Sequence, residues 1–127
     1  MKTSKITLNG REYPLCFSTW AIKQLCSKFG SMQGMSEAMK AGAADTAGTL
    51  DSTMYILQVL IDAGVRYAAI SDGTPLVTAP SMDELEVICG MDDLPQVQRA
   101  IADVIRADSE TTVNVAPEKN TETATAN

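Results

Sequence analysis

The stretch LNGREYPLCF, residues 8–17, constrains this chain more than any other, because it sets Asn9-Gly10 between two runs of alternating apolar residues. A two-residue hairpin turn of type I′ needs positive φ at both central positions, and Asn followed by Gly tolerates that best. Counting outwards from the turn predicts the pairs Leu8–Arg11, Thr7–Glu12, Ile6–Tyr13 and Lys5–Pro14. Side chains alternate across a strand, so Ile6, Leu8, Tyr13, Leu15 and Phe17 share one face, while Lys5, Thr7, Glu12 and Cys16 share the other. Pro14 falls at a non-hydrogen-bonded pair. Its missing N–H would have pointed outwards, which blocks that edge against a further strand. An isolated hairpin is marginal in water, so the apolar face needs a layer to lie on.

The periodicity of the remaining chain supplies helices. Ser18 is placed to cap a helix running to Phe29, with Ile22, Leu25, Cys26 and Phe29 on one face and Gly30 as its stop. A short second helix carries Met32, Met35, Ala38 and Met39, weakened by Gly34. Residues 41–48, AGAADTAG, read as a linker or a frayed helix end. The longest helix is predicted from Asp51 to Ala69. Met54, Leu57, Ile61, Gly64 and Ala68 form its stripe, and Tyr55, Ile56, Val59 and Leu60 widen it. A helix apolar on most sides is usually the central one. Residues 71–80 are a loop by their Gly and two Pro. Ser81 and Glu84 then form a capping box, and that helix ends near Cys89-Gly90. Asp92, Asp93 and Pro95 open the last helix, whose inner face is Leu94, Val97, Ile101, Val104 and Ile105.

The predicted fold is therefore mainly α: an N-terminal β-hairpin packed on a bundle of four to five helices. One domain spans 1–107. Residues 108–127 have little to bury and are expected to be a disordered, acidic, polar tail. It carries four acids and one base within a chain of net charge −6.

Charge and composition narrow the function classes. An acidic chain lacks the cations that neutralise phosphates, which disfavours a nucleic-acid partner. The N-terminus has no apolar signal core. Asp51, Asp62 and Arg66 interrupt the one long apolar helix, which disfavours a membrane role. With no His in the chain, the commonest general base is absent. No Ser-His or Cys-His pair and no Gly-rich phosphate loop appears. Asp83, Glu84 and Glu86, like Asp92 and Asp93, sit at helix starts, where acids complement the helix dipole, so capping outweighs a metal or acid-base reading. Cys16, Cys26 and Cys89 form no Cys-x-x-Cys and lack an evident basic neighbour, so they read as packing residues or inert thiols. No enzyme activity, cofactor or metal is expected. The seven methionines include Met32, Met35, Met39 and Met54. Met suits a surface that adapts to varied apolar partners, and it also fills ordinary cores. Met32, Met35 and Met39 are the candidate partner-binding residues. Trp20 lies off the Ile22–Phe29 stripe, as a packing or a contact residue.

The order of these segments resembles the tail assembly chaperones of long-tailed phages and prophages. The resemblance is carried by Asn9, Gly10, Tyr13, Leu15 and Phe17 running into a helix with Leu25, Phe29 and Gly30. The Met-Ser-Glu-Ala-Met segment, YILQVLIDAG and DELEVICGMDDLPQVQRAIADVI then follow in order, over about residues 5–107. The 41–48 linker and the 71–80 loop depart from that pattern. The resemblance implies a non-catalytic protein of the host cell cytoplasm, absent from the mature virion. Its client would be the tape measure protein, a long helical chain kept soluble until tail tube subunits assemble, with the major tail tube protein as a second partner. A small virion structural subunit of the head-tail completion type is the alternative.

Overall fold

The structure is a computed structural model that describes residues 3–40 and 46–115. Strands β1 (Thr3–Leu8) and β2 (Arg11–Cys16) form a two-stranded antiparallel hairpin. Helices α1 (Thr19–Phe29), α2 (Met32–Met39), α3 (Thr46–Asp72), α4 (Met82–Ile88) and α5 (Leu94–Val115) follow. A 3-10 turn at Met91–Asp93 leads into α5. The molecule is mainly α, with the hairpin lying on the helices, as the sequence predicts.

The hairpin register is the one counted from the turn, from Leu8↔Arg11 out to Lys5↔Pro14. Asn9 and Gly10 take φ of 52° and 76°, the positive values that a type I′ turn demands. Ile6, Leu8, Leu15 and Phe17 are buried and Tyr13 is half-buried. Cys16 departs from the expected two-faced pattern. Alternation puts it on the outer face, yet it is fully buried. It is the last residue of β2, where the chain turns towards α1. Each strand of the hairpin meets a helix, β1 meeting α5 and β2 meeting α3. Gln96 of α5 donates its Nε2–H to the outward carbonyl of Thr7 at 3.0 Å, and the Pro14–Leu15 peptide lies against α3 at Gly64.

Helix α3 is the centre of the fold. Ten consecutive-turn residues from Thr53 to Val65 are buried, among them Ile56, Leu57, Leu60 and Ile61 at no more than 0% exposure. Each such aliphatic side chain contributes about 1.5–3 kcal/mol of burial. The one buried polar side chain of the described core, Thr53, donates its hydroxyl to the Thr49 carbonyl at 2.9 Å, so its burial carries little penalty. By length and composition α3 is apolar enough to cross a bilayer. Here 56% of its most apolar window is buried against the other elements.

Three boundaries differ from the sequence reading. Helix α3 begins at Thr46 rather than Asp51 and ends at Asp72 rather than Ala69. A helix extends cheaply once nucleated, one hydrogen bond per residue fixed. It therefore continues past the apolar stripe until Gly73, which takes a φ of 69°. For the same reason the backbone of α5 continues to Val115, beyond the end of apolar periodicity at Ala107. The linker expectation for 41–45 and the tail expectation for 116–127 lie outside the described residues.

The remaining helix ends follow the expected capping. The Ser18 hydroxyl accepts from the Ala21 N–H, and Gly30 closes α1 with φ 86°. On α1 the buried line is Ala21 and Leu25, with Ile22, Cys26 and Phe29 half-buried beside it. The expected stripe is thus shifted by a fraction of a turn. Phe29 meets Tyr55 of α3 edge-on, with ring centroids 5.9 Å apart.

Candidate functional site

Two of the carboxylates at helix starts, Glu84 and Asp93, act as caps. Glu84 accepts from the Ser81 N–H at 2.8 Å while the Ser81 hydroxyl accepts from the Glu84 N–H at 3.2 Å. Asp93 accepts from the Gly90 N–H at 2.8 Å. Among the described residues no three His, Cys, Asp or Glu side chains gather where they could hold a metal ion. Cys89 is half-buried, and burial first, then the charge of Asp93, pushes its thiol above the ordinary value. That is the opposite of what activates a nucleophilic cysteine.

Among the described residues a large concave surface lies between α2 and α5. Its local construction begins at the turn between α1 and α2. The Ser31 hydroxyl accepts from the Gly34 N–H at 2.9 Å and caps α2. Gly34, which the sequence marks as a weak point, sits where a Cβ would come within 2.3 Å of the Phe29 carbonyl oxygen. Its missing side chain lets α2 fold back tightly on the end of α1. Helix α2 then runs for eight residues, about 12 Å, and one side of it faces α5.

The resulting groove has a volume of about 1030 Å³. Phe17, Met35 and Ile101, all buried, form its floor. Met32 and Met39 on one side and Ile105 on the other are half-buried and form its walls, with Ile22 at one end. Gln33, Ser36, Lys40, Gln98 and Arg106 line the rim.

All three sequence candidates thus meet at one surface, in different roles. Met35 is 4% exposed and belongs to the core. Met32 and Met39 present part of their side chains to the groove. The α5 half of the site is absent from the sequence reading, although a signal for it exists. Val97, Ile101 and Val104 suffice for the core-facing stripe of α5, and all are buried. Ile105, one position further round, is the surplus apolar residue, and with Ile101 it faces the groove.

A second apolar surface surrounds Trp20. The Arg66 guanidinium lies over the indole at 4.6 Å, held from behind by Asp62 at 2.8 Å. Ile70 and Leu76 next to it are 84% and 66% exposed. Trp20 is therefore half-buried, packed against the core and covered on one ring face by the guanidinium. A third cavity, between the start of α3 and the α4–α5 turn, is lined by Leu50, Met54, Cys89 and Met91.

No family model matches this chain, and neither does any curated protein or solved structure.

Proposed function

We propose that this protein is a non-catalytic tail assembly chaperone of a long-tailed phage or prophage. In this reading it binds helical segments of the tape measure protein and keeps that client soluble in the host cell cytoplasm while tail tube subunits assemble. The observation that carries the proposal is the open apolar groove between α2 and α5, walled by Met32 and Met39. Holding a long helical chain requires an apolar surface that repacks around different side chains. Unbranched, polarisable Met supplies that better than β-branched residues do. The helix contacts on both hairpin strands favour a helix laid in a groove over an added strand. A net charge of −6 on the chain itself opposes its self-association. The choice of client comes from the resemblance in segment order.

Co-expression with the tape measure protein tests this. The unmodified chain is expected to hold the client in the soluble fraction. The double variant Met32→Glu/Met39→Glu is expected to lose that effect while its circular dichroism stays unchanged, because both side chains are only half-buried. An insoluble client beside the unmodified protein overturns the proposal. Recovery of this chain from purified virions in fixed stoichiometry would favour the head-tail completion subunit instead.

A further inference from the structure

We infer that Asn9 is a self-modification site: the Asn9-Gly10 turn closes on itself, releases ammonia and converts Asn9 to aspartate and iso-aspartate, and the iso-aspartate product weakens the hairpin. The inference is independent of the α2–α5 groove and of what enters it.

The reacting groups are adjacent and unheld. Asn9 and Gly10 are both exposed. Among the described residues neither the Asn9 side-chain amide nor the Gly10 N–H has a hydrogen-bond partner. A Cβ built on Gly10 would meet nothing within 4 Å. The Gly10 nitrogen, its proton lost to hydroxide, attacks the Asn9 side-chain carbonyl carbon and closes a five-membered imide. The bond from that carbon to Nδ2 breaks, and the nitrogen leaves as ammonia with a proton from water. One water then opens the ring. Cleavage on the side-chain carbonyl gives aspartate, and cleavage on the main-chain carbonyl gives iso-aspartate. The balance is one water in and one ammonia out, and a carboxylate replaces a neutral amide.

The turn type sets the rate. Asn9 and Gly10 have φ of 52° and 76°, the type I′ arrangement, in which ψ of the first central residue is about +30°. At that ψ the Gly10 nitrogen lies anti to the Asn9 Cβ across the Cα–C bond, and the ring cannot close. In a type II′ turn the first residue keeps φ near about +60°, its ψ becomes about −120°, and φ of the second becomes about −80°. The nitrogen then eclipses Cβ, as a five-membered ring requires. Passing from I′ to II′ rotates only the peptide plane between Asn9 and Gly10. The strand pairs from Leu8↔Arg11 outwards stay in place, and Gly takes either sign of φ without steric cost. Both turns suit a two-residue hairpin. The dipeptide that fixes the register therefore also admits the reactive conformer as a minor state. Iso-aspartate adds one carbon to the main chain of the turn, so the two-residue geometry behind that register is lost.

The test follows the tryptic peptide Ile6–Arg11, which cleavage after Lys5 and Arg11 releases with Asn9 inside it. The full chain is incubated at mildly alkaline pH, native and in urea. Liquid chromatography with mass spectrometry then resolves the Asn, Asp and iso-Asp forms over time. The native chain is expected to yield both products, about ten- to a thousand-fold more slowly than in urea, the range set by the population of a minor conformer. Two variants separate the peptide flip from opening of the fold. Leu57→Ala removes a fully buried side chain of α3, and Gly64→Ala disturbs the contact of α3 with the hairpin. Each raises the open population, so a route through opening would speed up several-fold or more. The flip route keeps its rate in both, and Gly64→Ala decides alone if Leu57→Ala does not fold. The iso-Asp chain, isolated by anion exchange, is expected to unfold at lower urea than its parent. Native conversion as fast as in urea, native Asn9 intact beyond the thousand-fold range, or acceleration in the variants overturns the inference. So does an iso-Asp chain as stable as the parent.

Discussion

A Cβ placed on Gly64 would lie 2.5 Å from the carbonyl oxygen of Pro14. This contact joins the central helix to the second strand of the hairpin, backbone against backbone, at the point where Pro14 already removes a donor from the sheet edge. In an exposed helix interior, replacing Gly by Ala stabilises by about 1 kcal/mol. Here the sign reverses. Gly64→Ala is expected to cost about 1–3 kcal/mol, because neither the Pro14 carbonyl nor the adjacent Leu15 N–H can yield without moving the hairpin. Urea denaturation measures it, and a stabilised variant would mean that α3 and β2 do not meet here.

The turn at Asn9-Gly10 controls the register of everything that follows on β2. Gly10 has open space around its missing Cβ but a φ of 76°. Gly10→Val therefore tests backbone conformation alone, since a β-branched residue is poorly tolerated at positive φ. A loss of about 1–3 kcal/mol is expected. Thr7→Ser, on the exposed face of β1, is expected to change the midpoint little, because its hydrogen bond to Gln96 uses the backbone carbonyl.

The methionines of α2 separate by depth. Met35 is buried, so Met35→Ala is expected to cost about 2–4 kcal/mol through lost packing. Met32→Ala and Met39→Ala, each half-buried at the groove, are expected to cost less than half as much. Thermal denaturation of the three single variants ranks them. Equal losses would place all three in the core and move the binding face elsewhere.

Cys89 offers a pH test. Its thiol is raised by burial and, second, by Asp93, so the folded state disfavours the thiolate. The contribution of this group to stability is intact below the titration of the unfolded thiol, about pH 8.5. It is lost as pH rises through the higher folded value. Alkylation by iodoacetamide at pH 8, followed by peptide mass mapping, is expected to be slower at Cys89 in the native chain than in urea. Asp93→Asn is expected to speed it only in part, because burial is the larger cause.

Local chemistry in the sequence was sufficient for the hairpin register, the Ser18 cap, the Ser81–Glu84 capping box, the Gly30 stop and the identity of α3 as the central helix. Each of these is decided by a few neighbouring residues: φ preference at a turn, a hydroxyl within reach of free N–H groups, or an apolar stripe too wide for a surface helix. The ends of α3 were not legible in the same way. Helix propagation does not have to follow the apolar pattern, and here it runs on to Gly73, which takes a positive φ. Tertiary structure alone decided three further things. The burial of Cys16 depends on what encloses the end of β2. The need for glycine at position 64 depends on which backbone crosses it. The groove depends on bringing Met32 and Met39 opposite Ile101 and Ile105, from distant parts of the chain. Periodicity reports which face of a helix is apolar. Which second helix that face meets, and how much of it stays open, is a long-range property set by how all the elements pack together around α3.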